Sequence, residues 1–145
     1  MRPGTGKGVP VLATRQLVSV LSVALPVLIL TDCDPYGLEI FLTYKHDSLA
    51  SSYSQEPLAA PLSWWLGIHP ADLQHLDFPL QDLSVADRKR ILDITRREYV
   101  VTDPVLQHHL DLMRDLKVKA EIQQVFEERQ RGKINQLEQI YRGQH

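Results

Sequence analysis

A short apolar run that stops at two closely spaced aspartates is the feature that most restricts the fold of this chain. Residues 27–30 read Val-Leu-Ile-Leu, and residues 31–37 form the polar segment Thr-Asp-Cys-Asp-Pro-Tyr-Gly. A continuous, partly β-branched run of four residues predicts a strand covered on both faces. The aspartates and the proline end that strand in a turn.

A helix is predicted on each side of this strand. Before the strand, and ending at Pro26, the apolar residues with helical spacing are Leu17, Val18, Leu21 and Leu25. After the turn, the apolar residues that share one helical face are Leu38, Phe41 and Leu42. The order helix, buried strand, acidic loop, helix is typical of α/β proteins, in which ligands bind beyond the carboxyl ends of parallel strands. The predicted fold class is therefore α/β, with a parallel sheet flanked by helices.

The remainder of the chain continues this pattern. Residues 47–61 read as a loop, residues 62–68 as a second strand and residues 99–101 as a short strand. Ser84, with Asp87 three residues later, predicts the start of a helix that reaches about Thr95. A long amphipathic helix is predicted from residue 104, with one apolar stripe made of Leu106, Leu110, Met113, Leu116 and Ala120. We expect one domain over residues 1–126 and a polar tail over residues 127–145.

Composition excludes several classes of protein. The chain has 145 residues, about the size of one domain, and a formal net charge of −2, which is unlike a polybasic DNA-packaging protein. Its single cysteine, Cys33, excludes a disulfide framework and a cysteine-based zinc site. The apolar run over residues 17–30 is interrupted by Pro26 and is shorter than the about 20 residues that span a bilayer, so no membrane association is expected.

Asp32 and Asp34 are the strongest candidates for chemistry. Two carboxylates spaced two residues apart in an extended turn can point to one place, where each raises the pKa of the other. A Mg²⁺ ion relieves this repulsion, because it takes one or two carboxylates together with waters and phosphate oxygens. The alternative is that both acids solvate a turn or cap the next helix.

Weaker candidates lie elsewhere. Lys7, between Gly6 and Gly8, and the nearby Arg15 could neutralise a phosphate, but the spacing is not that of a P-loop, and a flexible terminus is the alternative. Of the pair Trp64–Trp65, one ring is expected in the core and one at the surface. His108 and His109 are expected to be exposed, and the arginines and lysine of residues 88–97 to form a solvated face.

Four segments together resemble one family. They are Gly6–Arg15 (GKGVPVLATR), Leu30–Ser48 (LTDCDPYGLEIFLTYKHDS), Trp65–Leu73 (WLGIHPADL) and Leu116–Gln123 (LKVKAEIQ). In this order they resemble the Toprim domain found in the A subunit of topoisomerase VI and in its eukaryotic relative, the meiotic protein that makes programmed DNA double-strand breaks. The resemblance runs from about Thr5 to about Gln124.

The resemblance implies an activity, a metal and partners. In that family a tyrosine on a winged-helix domain attacks the DNA backbone, while the Toprim acids hold Mg²⁺ at the phosphate. Carried over, Asp32 and Asp34 match the paired metal ligands, and we infer from charge and location that Lys7 and Arg15 lie close to DNA. The implied partners are double-stranded DNA, a second copy of the chain and a topoisomerase VI B-like subunit. The implied location is the nucleus, on chromosomes.

This sequence also departs from the family. The third metal acid of the family is a glutamate on a strand that precedes the TGKG motif, and neither that strand nor the tyrosine-bearing domain is found in these 145 residues. None of the five tyrosines has the context of the nucleophile. We therefore expect a Toprim-like domain without its first strand, inactive by itself, which corresponds to a C-terminal part of the family's longer protein.

Two other functions stay open. A phosphatase of the haloacid-dehalogenase type also begins with a buried strand that ends in Asp-x-Asp, although Tyr36 stands where those enzymes carry Thr or Val. A non-catalytic interaction module would dimerise, or dock on partner subunits through the helix over residues 104–126.

Overall fold

The computed structural model describes residues 11–46 and 58–143. In chain order, the elements are α1 Leu12–Leu21, β1 Val27–Leu30, α2 Pro35–His46, β2 Ser63–Leu66, a 3₁₀ helix Pro70–His75, β3 Gln81–Asp82, α3 Val85–Thr95, α4 Glu98–Val101, α5 Pro104–Leu116, β4 Val118–Lys119 and α6 Ile122–Gly143. Strands β1 and β2 pair in parallel, from Val27 opposite Ser63 to Leu30 opposite Leu66. The predicted fold class, an α/β fold with a parallel sheet flanked by helices, is confirmed.

Strand β1 has the predicted bounds but not the predicted surroundings. Ile29 is buried, whereas Leu28 and Leu30 are 58% and 57% exposed. In register with them on β2, Trp64 and Leu66 are also exposed. The prediction of a strand covered on both faces is therefore wrong for the described residues: a parallel sheet needs a layer on each side, and one face of this pair is open.

The core lies between α2, α3 and α5. Its fully buried side chains include Leu38, Leu42, Ile94, Leu110 and Met113. The Ser84 prediction is confirmed, since the Ser84 hydroxyl accepts a hydrogen bond from the Asp87 N–H, and the Asp87 carboxylate accepts one from the Ser84 N–H. This reciprocal capping fixes the start of α3 next to the core.

Two predictions about the C-terminal half need correction. The stripe of α5 ends before Ala120, because Lys117 takes a left-handed conformation (φ 58°) that terminates the helix after Leu116. Residues 99–101 form the single turn of α4 rather than a strand. Val100 is fully buried there, so packing against the core overrides the β propensity of the Tyr-Val-Val run.

The predicted loop over residues 47–61 lies outside the described residues up to Pro57. Residues 127–143, predicted as part of a polar tail, continue the helix α6, and their assignment to a separate region stays a prediction. No described helix combines the length and apolar character needed to cross a membrane.

Candidate functional site

The site is built around a backbone contact between two distant segments. Three residues after the end of β1, the Cys33 N–H donates to the Ala120 carbonyl at 2.9 Å, and the Ala120 N–H donates to the Cys33 carbonyl at 3.1 Å. The side chains of Cys33 and Ala120 are both fully buried. Because side chains alternate along an extended chain, Asp32 and Asp34 point to the opposite side of this bridge, away from the core.

Asp34 caps the start of α2. Its Oδ1 accepts a hydrogen bond from the Gly37 N–H at 2.6 Å, and Pro35 occupies the first helical position. A Cβ atom at Gly37 would collide with the backbone of Asp32. The Asp-Pro-Tyr-Gly segment is therefore explained by local geometry: a cap, a proline without an N–H, and a glycine that lets the helix approach the loop closely.

Asp32 caps a helix far away in the sequence. Its Oδ1 accepts a hydrogen bond from the N–H of Ile122, the first residue of α6, at 2.8 Å. Asp34 therefore caps the next helix, as the alternative predicted, whereas Asp32 caps the distant helix α6, and the metal role of both acids stays a prediction. Two helix N-termini face the two carboxylates, and each favours negative charge at its position.

Burial shifts the pKa of two side chains in this loop, Asp34 and Cys33. Burial raises the pKa of Asp34, and the hydrogen bond from Gly37 lowers it. The charge of Asp32 raises the same pKa and the charge of Lys119 lowers it, so that the net shift is upward. Burial, with the adjacent carboxylates, raises the pKa of Cys33 to about 12, so its thiol stays protonated at neutral pH. Cys33 therefore contributes no negative charge to the site.

The second oxygen of each carboxylate is the part of the site that bears on metal binding. Among the described residues, no hydrogen bond reaches the Oδ2 atoms of Asp32 or Asp34. Two neighbouring carboxylates, each with one available oxygen, fit the limited number of protein ligands that Mg²⁺ takes beside phosphates and waters. No group of three or more His, Cys, Asp or Glu side chains in the described part of the chain could hold a metal ion.

The two residues predicted near DNA are not part of this site. Lys7 lies outside the described residues. Arg15, on α1, is only 4% exposed, and burial lowers the pKa of its guanidinium while neighbouring Tyr44 raises it. The DNA contacts of both residues stay predictions, and the burial of Arg15 means that a contact would require its neighbours to move.

The structure adds two residues, Lys119 and Asp87, whose place near the site the sequence pattern did not indicate. Continuing the antiparallel register of Cys33 and Ala120 by one residue places Lys119 beside Asp34, and the Lys119 ammonium lies 2.8 Å from Oδ2 of Asp87. Asp87 is 1% exposed. The segment around Lys119 was notable only as part of the resemblance, because its position next to the aspartates depends on a pairing across more than 80 residues.

The basic residues of α3 and the following turn have mixed roles. Arg90 and Arg97 both pair with Glu39 of α2, whereas Arg88, Lys89 and Arg96 are exposed. Of the tryptophans, Trp64 is 66% exposed and Trp65 packs on Phe41, as predicted. His109 contradicts its prediction, because it packs with its ring edge against Trp65 and is partly buried.

Comparison with known proteins reveals one family. The family model for the Toprim domain shared by the A subunit of topoisomerase 6 and Spo11 matches residues 4–136. "Meiotic recombination protein SPO11" of Mus musculus is 42% identical over 124 residues, which are 82% of this chain and 31% of the mouse protein. The A subunit of DNA topoisomerase 6 of Arabidopsis thaliana is 39% identical over 124 residues, 82% of this chain and 29% of that protein.

An archaeal relative shows the same relationship. The A subunit of the type 2 DNA topoisomerase 6 of Methanocaldococcus jannaschii is 38% identical over 121 residues, 81% of this chain and 33% of its own length. The chain thus spans about a third of the length of the curated relatives that it matches. The match gives no support to the phosphatase alternative.

Proposed function

This chain belongs to the Toprim family shared by the A subunit of topoisomerase 6 and Spo11, and we propose that it is the Mg²⁺-binding part of a protein that makes meiotic DNA double-strand breaks by transesterification. The observation that carries the proposal is the pair Asp32 and Asp34, which share one side of the Cys33–Ala120 bridge and each keep one carboxylate oxygen that no described residue hydrogen-bonds. They lie where α/β folds bind ligands, beyond the carboxyl end of a parallel strand.

The residues of the site have distinct tasks in this proposal. Asp32 and Asp34 would hold the metal, while their Oδ1 atoms accept hydrogen bonds from the N-termini of α6 and α2. Those hydrogen bonds fix the carboxylates before the metal binds, which reduces the reorganisation required. When bound, Mg²⁺ supplies stabilisation of the charge that develops on the scissile phosphate.

The attacking tyrosine is expected on another domain. None of the chain's tyrosines has the sequence context of the family's nucleophile, and Tyr44 lies beside the buried Arg15. We accordingly propose that the isolated chain is inactive and that it acts on double-stranded DNA together with a second copy and a topoisomerase VI B-like subunit, on chromosomes in the nucleus.

Titration calorimetry with MgCl₂ tests the metal role. Asp32→Asn and Asp34→Asn keep an oxygen that can accept the capping hydrogen bond but remove the charge, so each is expected to weaken Mg²⁺ binding more than about tenfold. Asp93→Asn, on the exposed face of α3, is the matched control and is expected to bind as the unchanged chain does. Unchanged binding in both Asp32→Asn and Asp34→Asn would disprove the metal site.

A non-catalytic, dimerising interaction module is the second candidate. The observation in its favour is the open apolar face of the β1–β2 sheet, formed by Leu28, Leu30, Trp64 and Leu66. Docking through the apolar stripe of α5 is not possible in this structure, because Leu106, Leu110 and Met113 are buried in the core. Sedimentation with and without Mg²⁺ separates the two candidates: a metal-independent dimer with no affinity for DNA favours the module.

A further inference from the structure

A lysine stands beside the two aspartates in a fixed position. Lys119 belongs to β4, which pairs with β3 through Gln81, and its neighbour Ala120 is bonded to Cys33. In antiparallel strands, residues directly opposite each other present their side chains on the same side of the sheet. The register therefore puts the ammonium of Lys119 on the side of the bridge where Asp34 and Asp32 lie.

The ammonium is tethered there by a second acid. Its Nζ donates to Oδ2 of Asp87 at 2.8 Å, and the same oxygen accepts the Ser84 N–H at 2.8 Å. Asp87 is 1% exposed, and the Lys119 side chain is 21% exposed. A lysine held in this way cannot swing into solvent without leaving a buried carboxylate unpaired, which is costly.

The charge of Lys119 acts on Asp34 more strongly than the charge of Asp87 does. Burial is the largest influence on the pKa of Asp34. Of the two members of the ion pair, Lys119 lowers that pKa by more than Asp87 raises it. Conversely, the hydrogen bond to Asp87 raises the pKa of Lys119, with further contributions from Asp34 and Glu121. The lysine therefore keeps its charge next to the carboxylates.

From this geometry we infer that Lys119, tethered by Asp87, is a charge-setting residue that weakens Mg²⁺ binding at Asp32 and Asp34. The inference rests on the proposed Mg²⁺ site. A fixed positive charge beside the ligands repels a divalent cation, while Asp87 partly offsets that repulsion.

Two substitutions in one ion pair test this by opposite effects. Lys119→Met keeps the length of the side chain and removes its charge, and Mg²⁺ binding is expected to become about tenfold tighter at low ionic strength. Asp87→Asn removes the offsetting negative charge and leaves the lysine, so binding is expected to become about threefold weaker. Both effects should shrink at high salt, because mobile ions screen the charges.

A merely structural role gives a different result. Both substitutions break the same salt bridge and should lower the melting temperature, so a loss of structure moves both Mg²⁺ affinities in the same direction. The matched control is Lys133→Met, on the exposed surface of α6 eleven residues beyond Ile122, or about 16 Å along the helix. At that distance, across water, the charge of Lys133 acts only weakly on the ion, so the Mg²⁺ affinity of Lys133→Met is expected to stay within about twofold.

The outcomes separate this inference from the proposed function. Opposite shifts in Lys119→Met and Asp87→Asn, with binding still lost in Asp32→Asn, support both. Shifts in the same direction, or none, while Asp32→Asn abolishes binding, overturn the role of Lys119 alone. Absence of Mg²⁺ binding in the unchanged chain overturns the proposed site and this inference together.

Discussion

The two halves of the molecule contain similar apolar patterns but bury them to different extents. In the N-terminal layer of α1, β1, β2 and the turn after α1, exposed apolar residues include Val20 (71%), Val23 (87%) and Trp64 (66%). In the helical layer of α3 and α5, Ile94 and Leu110 are 0% and 1% exposed. An apolar pattern predicts which face of an element seeks cover, but it does not predict that the same chain supplies the cover.

The same contrast appears at the helix ends. Helix α5 starts at Asp103, whose carboxylate accepts hydrogen bonds from the N–H groups of Val105 and Leu106. Helix α1 starts after Val11, which has no capping side chain. The helical layer thus satisfies both its apolar and its polar groups locally, and the N-terminal layer satisfies fewer of them.

The largest expected difference in stability is between two leucine-to-alanine substitutions, one in each half of the molecule. Leu110→Ala removes a fully buried side chain and is expected to lower the free energy of unfolding by about 3 kcal/mol. Leu28→Ala, at a side chain that is 58% exposed, is expected to change it by less than about 1 kcal/mol. Urea denaturation measures both, and an equal loss would show that the open sheet face is covered in solution.

Alanine substitutions at two separate glycines test how closely α2 approaches the backbone of the acidic loop. Gly37→Ala places a Cβ against the backbone of Asp32, which cannot move aside cheaply, so a loss of about 2 kcal/mol is expected. Gly132→Ala, on α6, meets no atom within 4 Å and should raise helix stability by about 0.5–1 kcal/mol. The melting temperatures of the two variants should therefore move in opposite directions, and a neutral Gly37→Ala would contradict the described loop.

Helix caps provide a smaller effect. Asp103→Ala removes the acceptor for two N–H groups of α5 and is expected to cost about 1 kcal/mol. Val11→Asp supplies the missing acceptor at the start of α1. Because residue 11 already has the extended backbone of a capping residue, the substitution is expected to stabilise the chain by up to about 1 kcal/mol. Circular dichroism during thermal unfolding measures both changes, and a destabilising Val11→Asp would argue against the described start of α1.

Acidification is expected to produce the smallest change. Burial, together with His69 and His108, lowers the pKa of His109, and Asp103 and Asp72 oppose this shift. The fold therefore favours neutral His109: its contribution to stability is complete above the ordinary histidine pKa of about 6.5 and declines as the pH falls below that value.

The adjacent residue His108 provides the control for a substitution of His109. His109→Phe keeps an aromatic ring against Trp65 and should reduce the loss of stability between about pH 7.5 and pH 5.5. His108→Phe changes the exposed neighbour and should leave that loss unchanged. Equal pH profiles for His109→Phe and the unchanged chain would exclude His109 as a source of the acid sensitivity.

Much of the local structure follows from residues close together in the sequence. The bounds of β1, the capping box of Ser84 and Asp87, and the stripe of α5 as far as Met113 were predictable, since each depends on spacing within a few residues. The end of α5 was not, because Lys117 adopts a left-handed conformation that lysine rarely takes. Nor was α4, whose Tyr-Val-Val run favours a strand until Val100 is buried in the core.

By itself, the sequence determined that two aspartates follow a strand in an α/β fold and that the chain has the motifs of its family. Only the tertiary structure decided which groups meet them: Ile122 donates to Asp32 across 90 residues of chain, and Lys119 is brought beside Asp34. It also decided that Glu39 lies between Arg90 and Arg97, and that one face of the sheet stays open. Spacing along a chain sets the direction of a side chain within its own element, but its neighbours depend on how the elements pack.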